Sequence, residues 1–339
     1  MSSDSPLSRA TPNIVCFGEV LIDMLAQPPV EGQARAFEQY AGGAPANVAV
    51  ATARLGARSE FVGMLGQDMF GDFLHDALAQ AGVGVGYTVR TDAAKTALAF
   101  VALDETGERS FSFYRPPAAD LLFREEHFDA ACLAQADVFH FCSNSLTDPA
   151  YAQATFVGAQ RARDAGAVVS CDLNLRPALW PAQVDPTPTL WQALELADLV
   201  KLSHEELQFL AGTPENEAPV IQRLLAAHAQ LVVVTDGGGD VVWTTRDADG
   251  KVAPFTVQVR DTTAAGDAFV GGLLLHLVEL GGAGAGFPAF CADIERITQA
   301  VRFGAAVGAL AVTRKGAFAA MPQRADVLSL LQESNEYND

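Results

Sequence analysis

Asp261-Thr262-Thr263-Ala264-Ala265-Gly266-Asp267-Ala268-Phe269 decides how the chain is read. A β-rich run, Val252 to Val259, precedes it, and an apolar small-residue segment, Val270 to Leu280, follows and reads as a helix. The Ala-Ala-Gly turn therefore falls where a helix begins. Backbone N–H groups without helical partners collect there, together with the positive end of the helix dipole, and form an anion site. Three small residues in succession let a phosphate approach that backbone. Asp267 would stand in the first helical turn beside the anion, where a carboxylate can take a proton from an attacking hydroxyl. The plainer alternative is an Asp that merely suits a helix N-terminus.

Outward from this turn, the chain alternates. Ile14 to Gly18 reads as a short buried strand, with Asp23 just beyond its carboxyl end, where open α/β sheets hold ligands. Gly32 to Tyr40 reads as an edge strand. In Gly42-Gly43-Ala44-Pro45-Ala46-Asn47 the glycines permit close backbone approach, and Pro45 suits the start of a helix through Leu55. Asn47 offers a donor and an acceptor to a ligand, or an amide that caps its helix. Thr96 to Leu103 and Glu108 to Tyr114 alternate as two strands around the turn Asp104-Glu105-Thr106-Gly107. This hairpin breaks the β/α alternation, so with Gly32 to Tyr40 it is assigned to a small separate sheet, a lid. Arg115 closes the hairpin, either as a surface ion pair or as a clamp on substrate oxygens.

From Val138 the alternation resumes, with strands at Val138–Phe141, Val168–Cys171, Leu199–Leu202 and Leu231–Val234. Their ends carry Asp172-Leu173-Asn174-Leu175-Arg176, the capping box Ser203-His204-Glu205-Glu206, and Thr235-Asp236-Gly237-Gly238-Gly239. Ile294 to Val312 reads as a closely packed helix. The fold class is α/β: a mostly parallel sheet covered by helices on both faces, with a small β-sheet lid. Residues 1–12 and 331–339 are expected to be flexible ends around one domain, 13–330, with the lid drawn from about 32–40 and 96–115.

Composition narrows the partners. The 339 residues are 50% hydrophobic, and 22 Lys+Arg against 41 Asp+Glu leave a formal charge of −19. Neither nucleic acid nor an anionic membrane suits that charge. No apolar run approaches the roughly 20 residues of a membrane span. The five cysteines include no CxxC pair and lie mostly in apolar runs, which reads as free thiols in the cytoplasm. There is no Walker A loop, no complete G-x-G-x-x-G, no HExxH and no G-x-S-x-G.

Two motifs in order, Gly42 to Asn47 and Asp261 to Asp267, resemble the N- and C-terminal signatures of the ribokinase-like sugar kinases, the phosphofructokinase B family. The likeness runs from about Ile14 to Pro322. It implies ATP-dependent phosphorylation of a sugar hydroxyl. Asp267 would be the base, and Ala264, Ala265 and Gly266 the anion hole. Asp23, Gly42, Gly43, Asn47, Arg115 and Arg176 would meet the substrate. Ser203, Thr235, Gly237 and Ala305 would meet ATP, and Glu206 would act on Mg²⁺ through water. Ser203 replaces the family's Asn, and Asp240 displaces the last Gly of its nucleotide loop. Asp261, Thr263, Ala311, Arg314 and Gly316 match a K⁺ loop. Glu108 to Asp120 and Asp172 to Trp180 are similar to the fructokinase branch, so fructose to fructose 6-phosphate is the expected reaction. A 2-keto-3-deoxygluconate kinase shares both arginines and is the alternative. A non-catalytic sugar or nucleotide sensor on the same fold is the alternative of a different class. The expected partners are a small-molecule sugar and ATP, with a homodimer formed through the lid.

Overall fold

In the computed structural model the described residues are 11–336, apart from 29, 31 and 104–108. The Asp104–Gly107 turn and the two chain ends therefore lie outside them. The chain begins with β1 (Asn13–Phe17), β2 (Leu21–Ala26), β3 (Phe37–Gly42), α1 (Ala44–Arg54), β4 (Arg58–Gly66), α2 (Met69–Gln80), β5 (Thr88–Thr91), β6 (Leu98–Leu103) and β7 (Arg109–Tyr114). It continues through α3 (Ala130–Ala134), β8 (Val138–Cys142), α4 (Pro149–Asp164), β9 (Val168–Asp172), α5 (Thr187–Leu196), β10 (Leu199–Ser203), α6 (His204–Ala211), α7 (Glu217–Ala226) and β11 (Leu231–Thr235). It closes with β12 (Val241–Thr244), β13 (Asp249–Val252), α8 (Ala265–Glu279), α9 (Phe287–Cys291), α10 (Ile294–Ala311) and α11 (Arg324–Glu336).

A nine-stranded sheet runs β13-β12-β11-β10-β9-β8-β1-β4-β5, antiparallel only across β11, β12 and β13. All five residues of β1 are buried, as expected of a central strand. Alternation sends Ile14 and Cys16 to one core layer and Val15 and Phe17 to the other, so helices cover both faces. The strand order reverses at β1, flanked by β4 and β8, so ligands are expected at the carboxyl edge beside it.

The second, smaller sheet runs β3-β2-β6-β7 and holds the strands expected to form the lid. Three expectations change here. Asp23 lies within a lid strand, β2, with Tyr40 and Ala99 as its register partners, not beyond the end of β1. Val252 to Val259 is not a strand, for β13 stops at Val252. Pro254 follows two residues later, lacks a backbone donor and disfavours continued pairing. The chain end is a helix as far as Glu336, so 331–336 is not a loose tail. Arg324 on α11 reaches Glu279 on α8 with two contacts, at 2.5 and 3.0 Å. Among the described residues no single helix is long and apolar enough to cross a membrane.

Candidate active site

The two motifs meet. Asp267 stands in the first turn of α8, and Asn47 Nδ2 donates to its Oδ2 at 2.7 Å. Asn174 Nδ2 lies 3.4 Å from Oδ1. Asn47 therefore caps no helix. Gly43 is the N-cap of α1, without a side-chain cap bond. Burial pushes the Asp267 carboxyl up to about 7, although Asn47, Arg176 and Lys201 each favour its ionised form. A carboxyl so placed is a base poised near neutral pH.

Beside it the helix end is open. Ala264 is the N-cap of α8, in the left-handed region at φ 58°, and no side chain caps the helix. An alanine rarely adopts that conformation; here it opens the helix, and the Ala265 N–H donates to the Thr262 carbonyl at 3.3 Å. Gly266 does not have a left-handed φ. A Cβ there would meet no closer chain atom than Lys201 Nζ, at 3.3 Å. Its smallness thus answers no demand of the fold.

Lys201 went unnoticed in the sequence, although a lysine inside the apolar strand Leu199–Ser203 was the signal. Its Nζ donates to both oxygens of Asp172, at 3.0 and 3.2 Å, and both residues are buried. Burial opposes the ammonium, but Asp172 and then Glu206 outweigh it and hold its pKa above the ordinary value. One cation thus faces Asp172, Glu206 and Asp267 beneath the anion turn.

Glu206 accepts from the amides of Leu175 at 2.8 Å and Ser203 at 2.7 Å, one with each carboxylate oxygen. It ties the ends of β9 and β10 together, a geometry that fits action on a metal through water. Among the described residues no three His, Cys, Asp or Glu side chains form a metal cage.

The nucleotide residues line one edge. Ser203 and Thr235 are register partners at the ends of β10 and β11, and Gly237 turns beyond them at φ 51°. Asp240, where the family's last loop glycine is shifted or replaced, pairs with Lys251 on β13 at 2.9 Å. Ala305 is half-buried on α10, one turn before Gly308, which packs against the Ala265 carbonyl. At the positions that match a K⁺ loop, Asp261 accepts from Thr263 N at 2.9 Å and Gly316 N at 3.0 Å. The Ala311 carbonyl accepts from Arg314 N at 3.2 Å, while the Arg314 side chain turns away to Asp326.

The sugar residues sort differently from expectation. A Cβ at Gly42 would collide with the Asp23 carboxylate, so Gly42 makes room for Asp23. Gly43, at φ 111°, lies against the Glu19 carbonyl and Val20. Its close approach is to the chain itself. Arg176 is exposed at the site's edge, and its charge favours the Asp267 anion. Arg115 is neither a surface ion pair nor a free clamp. It is 2% exposed, with Nη2 2.7 Å from Asp120, which is equally buried.

An α/β sheet with a second small sheet, an uncapped helix start and a buried carboxylate at that start are the arrangement expected of a kinase of small hydroxyl compounds. A pfkB family carbohydrate kinase model matches residues 11–324, and the chain belongs to that family. It is 40% identical over 325 residues to Fructokinase-1 of Zea mays, covering 95% of this chain and 98% of the relative. A solved fructokinase from Xylella fastidiosa with bound ATP is 60% identical, with a TM-score of 0.91 over 95% of this chain and 99% of that one. A Vibrio cholerae O395 fructokinase with fructose, ADP and calcium ion bound is 34% identical, with a TM-score of 0.82 over 95% and 99%.

Proposed function

We propose that this carbohydrate kinase transfers the γ-phosphate of ATP to fructose, giving fructose 6-phosphate. The observation that carries the mechanism is the Asn47–Asp267 contact at an open helix start. Asn47 and Asn174 fix the carboxylate, and Oδ1, with the longer contact, has the freer lone pair for the sugar proton. As the hydroxyl attacks, Asp267 takes its proton, while the Ala264–Gly266 amides and Lys201 face the charge on the phosphoryl group. A Mg²⁺ ion with the nucleotide neutralises phosphate charge.

The names of the relatives support fructose. The buried Arg115 guanidinium is held by Asp120, which leaves the exposed Arg176 as the cation that a sugar acid would use. A coupled ADP-release assay over fructose, ketodeoxygluconate, ribose, tagatose and nucleosides tests the reading. Fructose should give the highest kcat/KM; turnover of the acid alone would overturn it.

Three finer points are also proposals. Asp261, Thr263 and Gly316 come together in a loop suited to K⁺. Phe37, Phe100 and Tyr114 form an edge-to-face ladder on one lid face, with Tyr114 66% exposed, which supports a lid-mediated homodimer. Five free cysteines, four of them buried, support a cytoplasmic location.

A further inference from the structure

Arg115 is joined to the N-terminus of α1 through a second buried acid, Glu19. Arg115 Nε donates to Asp120 Oδ2 at 2.8 Å and Nη1 donates to Thr147 Oγ1 at 3.2 Å. Thr147 donates in turn to the Asn144 carbonyl, and Asn144 Nδ2 donates to Glu19 Oε1 at 2.9 Å. The same Glu19 oxygen accepts the Ala44 N–H at 3.1 Å. Glu19 is 1% exposed. Burial pushes its carboxyl up, and the Arg115 charge pulls it back towards the anion. Arg115 itself is held protonated against burial by Asp120 and Glu19.

The positions of these residues in the chain matter more than their charges. The chain crosses between the main sheet and the lid four times: into β2, out of β3, into β6 and out of β7. Glu19 precedes β2, Gly43 and Ala44 follow β3, and Arg115 follows β7. Glu19 thus sits on one crossing, bonds a second directly through Ala44 N, and is linked to a third, at Arg115, through Asn144 and Thr147. From Ala44 the helix leads directly to Asn47, whose N–H bonds the Gly43 carbonyl at 2.8 Å and whose side chain holds Asp267.

We propose that Glu19 and Arg115 are positioning residues that lock the lid crossings together, so that the lid's position is transmitted to the start of α1 and to Asn47. Two buried charges tied into one hydrogen-bond network can impose one geometry on three chain segments, because leaving either charge without its partners is costly. The inference rests on the sugar-kinase reading for its effect on substrate, but not for its effect on the fold.

Hydrogen exchange and steady-state kinetics on Arg115→Met and Glu19→Gln test it. Arg115→Met should speed exchange at Ala44–Asn47, and Glu19→Gln should speed it at the β7 exit. In both variants the sugar KM should rise about 10-fold while the ATP KM stays within about twofold. The double variant should be no worse than the more impaired single one, because both act on one lock. Arg115→Lys should restore part of the sugar KM. Exchange confined to each mutated segment would overturn the proposal. So would a raised sugar KM in Arg115→Met with a wild-type Glu19→Gln, the pattern of a direct clamp. Lowered thermal stability with unchanged KM values and exchange would reduce the pair to bulk structure and likewise overturn it. If Arg115→Met does not fold, Glu19→Gln, nearly isosteric, decides alone by exchange at the β7 exit. A wild type inactive on fructose would overturn the sugar assignment only, since exchange is read without sugar.

Discussion

Asn47 Nδ2 lies 2.7 Å from Asp267 Oδ2, although the two residues are 220 positions apart in the chain. The contact brings the start of α1 to the start of α8 and makes one site of two motifs. It also sets a conflict inside the base. Burial disfavours the Asp267 anion, and the anion is the form that catalysis needs. The neighbours that relieve the conflict, Asn47, Arg176 and Lys201, come from three different elements.

Asp267→Asn should therefore lower kcat by at least about 10²-fold, within the range for loss of a general base. ATP binding should stay near wild type. Stability should move the other way. With its carboxyl raised to about 7 from 3.8, folded Asp267 binds a proton that the unfolded chain has lost across that window. Wild-type stability thus declines as pH rises from about 4 to 7, and the penalty persists above 7. The Asn variant should melt higher than wild type at pH 8, with the gap closing towards pH 4. Melting curves at both pH values, with kcat on the same protein, check this. A variant that is less stable at pH 8 and still active would return Asp267 to a helix-dipole role.

The pH profile carries a second expectation. kcat/KM should fall below about pH 7 as Asp267 becomes protonated. Asn47→Ala removes a bond that favours the anion, so the acid limb should move to higher pH. Arg176→Ala should move it the same way by less, because Arg176 is exposed and screened by solvent. A limb that stays in place in Asn47→Ala would mean that another group sets it.

Much of this was legible in the sequence because the signals were local. The helix start at Ala264–Asp267 shows in small residues before an apolar run, and the capping box at Ser203 and Glu206 was found as written, with both reciprocal bonds present. What was missed depends on tertiary placement. Asn174 stood in a quoted strand end, yet nothing local shows that φ 40° would aim its amide at Asp267. Asp23 was placed on the wrong element because β2 follows β1 after only three residues, too short a break for hydrophobic pattern to reveal a change of sheet. Arg115 has the same type and spacing whether exposed or buried. Only the fold shows that Asp120 holds it.

Gly266→Val should reduce turnover sharply and leave stability nearly unchanged. The position does not need a left-handed φ, and Lys201 Nζ, the end of a flexible side chain, is the nearest chain atom to an added Cβ. The larger side chain would instead crowd a phosphate at the helix start. ATP KM should rise with fructose KM little changed. Normal turnover would move the anion site elsewhere.

Arg176→Ala distinguishes the sugars. On a neutral ketose the arginine donates to hydroxyls, and the loss should be modest. On a sugar acid it should cost about 1.5–3 kcal/mol, the range for a charge-assisted bond. Because Arg115 is held by Asp120, Arg176 would be the main cation left for a carboxylate. kcat/KM for fructose and ketodeoxygluconate, in wild type and variant, gives the comparison. A wild type that prefers the acid, with a loss of this size in the variant, would reverse the fructose assignment.

Lys201 gives the sharpest separation of stability from catalysis. Its ammonium is paired with Asp172 through both oxygens and is the buried cation that faces Glu206 and Asp267. Lys201→Met leaves three buried carboxylates without it, and breaking such a pair costs about 3–5 kcal/mol. Lys201→Met with Asp172→Leu removes both charges, and replacing a buried pair with apolar groups is often near neutral. The double variant should therefore recover much of the lost stability. Activity should not recover, since the positive charge below Gly266 is still missing. Urea unfolding gives the stabilities, and kcat with its pH profile gives the chemistry. Recovery of both together in the double variant would show that Lys201 serves the fold alone; recovery of stability with kcat still depressed assigns it to the reaction.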